Sequence, residues 1–141
     1  MEDKTATARA WNLNISPKYS REIAANVRGL PVVKALRILE EVVALRRPII
    51  LRKHNAEVPH HYGRPGRYPV KAVKEFISVI ENAIANAEYI GLKDAKLTLE
   101  RIEASRGTVK KPWGGKAIGK SKKRGRRTNI VVVLSEGVKK K

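Results

Sequence analysis

From Ala104 to Ser135 the chain carries ten basic residues and no acidic one, and that stretch limits what the rest can be. The ten are Arg106, Lys110, Lys111, Lys116, Lys120, Lys122, Lys123, Arg124, Arg126 and Arg127. Between Gly107 and Arg127 the apolar side chains are Val109, Trp113, Ala117 and Ile118, too few to build a core. This segment has to lie outside any folded body. Its flanks are strand-like, so an antiparallel hairpin over 107–127 is expected. With ~10 residues per arm at ~3.3 Å each, it reaches ~33 Å. A compact body of this length is only about 35 Å across, from a radius of gyration near 14 Å. Like charges on a two-stranded ribbon repel, and isolated hairpins are marginal in water. Order in such a finger calls for a polyanion around it.

The flanking strands carry further information. Leu97 and Leu99 share one parity while Ile102 and Ala104 share the other. Either the strand bulges near Arg101 or it changes which face is buried. Ile130 to Leu134 is apolar without alternation, which predicts a strand that is central in its sheet or covered on both faces. Near the start, an extended Thr5–Ile15 puts Arg9, Trp11, Leu13 and Ile15 on one side, and three of those four are apolar. A short first strand with that face inward is expected, ending at Ser16.

Three helices account for the body. Ser16-Pro17 has the form of an N-cap with proline at the first helical position, and Tyr19, Ile23 and Val27 follow at four-residue steps up to Gly29. Pro31 reopens a helix with Val32, Leu36, Leu39 and Val43 as its stripe, widened by Val33, Ile38, Val42 and Leu45, and stopped at Arg46-Arg47-Pro48. Pro69 opens the longest helix, to about Ile90 and Gly91, with a seam of Val70, Val73, Ile77, Ile80, Ile84 and Ala87 broadened by Phe76. Between the second and third helices, Ile49 to Tyr68 has little to bury and much to offer a ligand: Arg52, Lys53, His54, His60, His61, Arg64 and Arg67. It is expected to be a loop. The fold class is α+β, in one domain over 1–141, with a short basic tail at 137–141.

The whole chain is basic, with 31 Lys+Arg against 13 Asp+Glu and a net charge of +18 over 141 residues. A field of that size favours polyanions, nucleic acid first and an anionic membrane surface second. No apolar run approaches the ~20 residues that span a bilayer, and Met1-Glu2-Asp3-Lys4 lacks the layout of a signal peptide. With no cysteine, disulfides, thiolate metal sites and a cysteine nucleophile are excluded. A soluble intracellular protein without membrane attachment is expected.

Sharper motifs weaken on inspection. Gly114-Gly115-Lys116-Ala117-Ile118-Gly119-Lys120-Ser121 has the spacing of a phosphate-binding P-loop, but that chemistry needs a buried strand before it and a helix after it. Lys110-Lys111-Pro112-Trp113 and Lys122-Lys123-Arg124-Gly125 supply neither, so the match follows from Gly/Lys-rich composition. His54, His60 and His61 with Glu57 would make an improvised metal site; stacking on bases or bonding to phosphates suits them better. Glu40, Glu41, Glu75, Glu81 and Glu88 lie on helices among basic residues as ordinary ion pairs, and Glu100 and Glu103 flank Arg101 on a strand. No acid–base pair stands out, and neither an enzyme nor a cofactor is expected. Trp113, among glycine and lysine, suits stacking on RNA, whereas Trp11 fits a core or an interface equally well. A general nucleic-acid or chromatin-type binder is the alternative class.

Particular strings narrow this. Ile15-Ser16-Pro17-Lys18-Tyr19-Ser20, Arg46-Arg47-Pro48, Arg52-Lys53-His54-Asn55, Gly66-Arg67-Tyr68-Pro69-Val70-Lys71-Ala72, Glu81-Asn82-Ala83, Asn86-Ala87-Glu88-Tyr89 and Lys116-Ala117-Ile118-Gly119-Lys120 occur in this order. Together they resemble the universal large-subunit ribosomal protein family numbered twenty-two in bacteria and seventeen in eukaryotes, in its archaeal/eukaryotic branch. The resemblance implies three helices on a small antiparallel three-stranded sheet with a long protruding β-hairpin. It further implies contact with large-subunit rRNA, neighbouring ribosomal proteins and the nascent polypeptide, a part in assembly, and a place in the cytoplasmic large subunit as a single copy rather than a homo-oligomer. The RNA-binding residues expected are Arg9, Lys18, Arg46, Arg47, Arg52, Lys53, His54, His60, His61, Arg64, Arg67, Trp113 and the ten basic residues above. By the family motif, Lys116, Ala117, Ile118, Gly119 and Lys120 form the tip that lines the exit tunnel. The chain departs from the family pattern in a shorter 55–68 loop and in Trp113-Gly114-Gly115, where more basic residues are the norm.

Overall fold

The computed structural model describes residues 5–54, 57–92, 97–110 and 125–137. Its elements are β1 (Thr5–Leu13), α1 (Pro17–Val27), α2 (Val32–Val43), β2 (Ile49–Ile50), β3 (His60–His61), β4 (Arg64–Arg67), α3 (Val70–Ile90), β5 (Leu97–Lys110) and β6 (Gly125–Glu136). Two antiparallel sheets of three strands form, ordered β1-β6-β5 and β2-β4-β3. In the larger sheet α1 packs on β5, and α3 on β1 and β6, with α2 against α3.

β6 is central, as its unbroken apolar run requires: Ile130, Val132 and Leu134 are fully buried. The parity problem in β5 is solved by a bulge. Leu99 pairs with Leu134 but Arg101 with Val133, so Glu100 is the extra residue and Leu97, Leu99 and Ile102 all reach the core. The first strand is set the other way round from the sequence expectation. Ala6 and Ala8 face the core, while Thr7, Arg9 and Trp11 are exposed, Trp11 by 61%. Close packing of α3 over β1 leaves room there only for methyl groups, and apolar count misjudged the face. A bulge between Ala10 and Leu13, with Asn12 at φ 55°, then turns Leu13 back toward the core.

Except at the end of α2, the helices start and stop where the punctuation indicated. Ser16 occupies the N-cap of α1, although its hydroxyl caps nothing; its carbonyl accepts from the Ser20 amide and hydroxyl instead. α2 ends earlier than Arg46, at Val43, through Leu45 at φ 60°. Its buried line is Val32, Ala35, Ile38, Leu39 and Val42; Val33 and Leu45, assigned to the apolar stripe, are exposed. In α3, Phe76 is at the centre rather than the margin, fully buried among Val73, Val79, Ile80 and Ala83.

The segment 49–68 is not a plain loop. His61 pairs with Arg64, so Tyr62 and Gly63 form a two-residue turn, and both have positive φ, 54° and 74°. That is the twist a tight antiparallel hairpin needs. Gly66 pairs with Ile50 and lies against Pro48, where an added Cβ would sit 2.9 Å from the proline ring. Only glycine lets β4 pass there. Ile49 and Leu51 anchor this sheet in the main core.

Candidate nucleic-acid interface

Two groups of cations emerge from this frame. One is the departing ribbon. Beyond Ile102 on β5 and Thr128 on β6 no side chain of the described ribbon is buried, yet the strands stay paired through Val109 with Arg126 and Lys110 with Gly125. Arg106, Lys110 and Arg126 are exposed and Arg127 half-buried. Lys111, Trp113, Lys116, Lys120, Lys122, Lys123 and Arg124, with Ala117, Ile118 and Gly119 of the expected tip, lie outside the described residues.

The ribbon is tied to the body where it leaves. Leu13 of β1 and Arg106 of β5 both pair with Thr128, and each flanking strand bulges at that level. The Asn12 amide N–H donates to Asn129 Oδ1 (2.8 Å). Asn12 Oδ1 in turn accepts from the Thr108 amide (3.0 Å) and hydroxyl (3.2 Å). Gly107 fits under this knot because it has no side chain: a Cβ would lie 2.6 Å from Asn12 Oδ1. Deeper in, the buried Thr128 hydroxyl donates to the Ile15 carbonyl (2.9 Å) and fixes the turn into α1. Bulges with side-chain ties are how a sheet re-aims a strand pair.

The second group belongs to the small sheet. Arg46 and Arg47 precede β2, Arg52, Lys53 and His54 follow it, His60 and His61 are on β3, and Arg64 and Arg67 on β4. All six lysines and arginines are exposed. His61 stacks edge-on to Tyr68 with ring centroids 5.5 Å apart. What orders the 52–54 corner is Glu22, only 3% exposed. Its carboxylate accepts from three consecutive backbone amides: Oε2 from Arg52 (2.8 Å), and Oε1 from Lys53 (3.0 Å) and His54 (2.9 Å). Asn26, one turn on, donates to the Ile50 carbonyl (2.9 Å). With its backbone donors satisfied from inside, the corner holds its charged side chains outward. Glu22 is not singled out by the sequence, because nothing in its local spacing points to a partner 30 positions away.

Arg9 on β1 and Lys18 in the first turn of α1 are exposed and belong to neither group. Some basic residues are engaged inside the protein: Arg28 donates to the Ile102 carbonyl (2.9 Å) and Arg21 to that of Ala104 (3.5 Å), covering the outer edge of β5. Arg101 forms a two-pronged pair with Glu103 at 2.8 and 3.0 Å. The hydrogen bond to Arg101 holds the Glu103 carboxyl below its ordinary value, and the same bond raises the guanidinium. Among the described residues no set of three His, Asp or Glu side chains converges to hold a metal, and no helix is long and apolar enough to cross a membrane.

A bulged, cation-bearing ribbon and a basic small-sheet lobe on one small core define an α+β protein with two strongly basic surfaces. The family can be stated directly. Residues 8–135 match the model of ribosomal protein L22p/L17e, and the chain belongs to that family. It is similar to the large ribosomal subunit protein uL22 of Methanocaldococcus jannaschii, 38% identical over 139 residues, covering 95% of this chain and 89% of the relative. The uL22 protein of Methanoregula boonei is 41% identical over 140 residues, covering 95% and 91%. That of Methanothrix thermoacetophila is 37% identical over 140 residues, covering 96% and 92%. The family is one of structural proteins rather than enzymes.

Proposed function

We propose that this chain is a structural constituent of the cytoplasmic large ribosomal subunit that binds large-subunit rRNA and supports its assembly. The observation that carries the reading is the ribbon, which stays paired beyond the last buried residue while presenting Arg106, Lys110 and Arg126 to solvent. Such a ribbon is held by its surroundings, and ten cations without a carboxylate between Ala104 and Ser135 match packed phosphates. The small-sheet lobe adds a second phosphate-binding face over Arg46–Arg67. Recognition rests on backbone shape and charge rather than base sequence.

The finger comprises 107–127, and residues 116–120 at its tip line the path of the nascent polypeptide. The body contacts neighbouring ribosomal proteins, and a single copy serves each subunit without a cofactor. Co-sedimentation tests the reading. Full-length tagged protein should travel with archaeal large subunits through a sucrose gradient and stay bound after a moderate-salt wash. Recovery only at the top of the gradient would refute it.

A further inference from the structure

We infer that the groove between the open edge of β1 and α3 is a subsite for one ribose-phosphate unit of RNA, selective for the 2′-hydroxyl. This rests on the rRNA-binding reading and adds a place and a chemistry to it.

The groove is lined by Thr7, Ala8 and Arg9 from the strand and Asn82, Ala85 and Asn86 from the helix. β1 pairs with β6 on one side only among the described residues, so its other edge is open. Asn86 Nδ2 donates to the Thr7 carbonyl at 3.0 Å. A carbonyl can only accept, so the orientation of this amide is fixed by chemistry: nitrogen toward the strand, Oδ1 away from it. That oxygen has no protein donor among the described residues. The contact also blocks the edge at Thr7 against addition of another strand. By the alternation of an antiparallel ladder, the Arg9 amide N–H faces the same open edge.

The donor set selects the ligand. Arg9 supplies a cation and, among the described residues, no acidic one lines the groove, so an anion is favoured. Asn86 is exposed, with its Oδ1 open to a donor. Phosphate oxygens accept and do not donate at neutral pH, so a ligand that carries a hydroxyl next to its phosphate uses both Arg9 and Asn86, where a phosphate alone uses only Arg9. The ribose 2′-OH is such a donor in every RNA residue, and deoxyribose lacks it. Ala85, exposed on the helix, has only a methyl group, which lets a sugar ring approach. Asn82, one turn before Asn86 and on the same helix face, offers a second amide to the neighbouring sugar or phosphate oxygens. The outward Arg9 and the helix string Glu81-Asn82-Ala83 are brought to one place by the fold, though 73 positions separate Arg9 from Asn82.

The test is analogue interference with the full-length protein and an in vitro transcript of archaeal large-subunit rRNA carrying random 2′-deoxy substitutions. Wild type should discriminate against deoxyribose at a small set of positions. Asn86→Ala should abolish discrimination at one or two of these and weaken binding about five- to tenfold, the loss of one or two hydrogen bonds. Asn82→Ala, which removes a side chain with no hydrogen-bond partner among the described residues, controls for fraying of β1 and should shift the same positions. Interference patterns identical to wild type in both variants overturn the subsite while leaving rRNA binding intact. Failure of wild type to retain the transcript overturns the rRNA-binding reading itself, and the subsite with it.

Discussion

Glu22 is the residue whose replacement most directly tests how the basic lobe is held. Its carboxylate takes three backbone hydrogen bonds at 2.8, 3.0 and 2.9 Å while itself 3% exposed. A hydrogen bond to a charged group contributes about 1.5–3 kcal/mol, and unpartnered donors add their own desolvation cost. Water reaches part of this corner, since the Arg52 and Lys53 side chains are exposed, so the three do not sum fully. Glu22→Ala should cost about 3–5 kcal/mol, the upper end for a single substitution. Glu22→Gln keeps one acceptor but turns an NH2 toward a backbone N–H, and should cost about 2 kcal/mol. At about 4 °C per kcal/mol for a domain of this size, the glutamine variant should melt about 8 °C lower. Urea unfolding gives the stabilities, and hydrogen exchange at the amides of residues 52–54 should accelerate in both variants. An alanine variant within about 0.5 kcal/mol of wild type, or exchange at 52–54 left unchanged, would refute the clamp.

The tie at the base of the finger predicts that Gly107→Ala, whose Cβ would lie 2.6 Å from Asn12 Oδ1, destabilises by about 1–3 kcal/mol; urea unfolding beside a Val109→Ala control checks this. The Arg101–Glu103 pair gives a pH prediction. Glu103 is lowered from its ordinary value of 4.5 by the bond to Arg101, so what the pair contributes is present above that value and is lost as pH falls through the lower, folded one. A carboxyl-carbon NMR titration should place the Glu103 midpoint below 4.5 and return it toward that value in Arg101→Gln.

Much of the fold was legible because helix and strand periods report burial. The seam of α3 follows from spacing; for β6 and for β5 near Arg101 spacing left two alternatives each, and the structure selects the central strand and the bulge. What spacing misjudged were places where backbone geometry outweighs side-chain apolarity. Ala6 and Ala8 face inward because α3 comes close to β1, leaving the larger Trp11 outside. The turn at Tyr62-Gly63 turned an expected loop into strands, though tyrosine is an unusual residue at φ 54°. The basic surface was legible as a list, since charge is written in composition. Its scaffolding was not: Glu22, Asn12 and Asn129 act through bonds across 30 to 117 positions, and nothing local marks them.

The salt dependence of binding tests the central claim most directly. Affinity for an in vitro transcript of archaeal large-subunit rRNA, measured across a range of monovalent salt, reports how many phosphates the protein neutralises. With about ten contacted by the finger and the small-sheet lobe, the log–log slope should be roughly −7 to −9. A slope of about −2, the release of only two or three counterions, would contradict a finger and lobe engaged with RNA along their length.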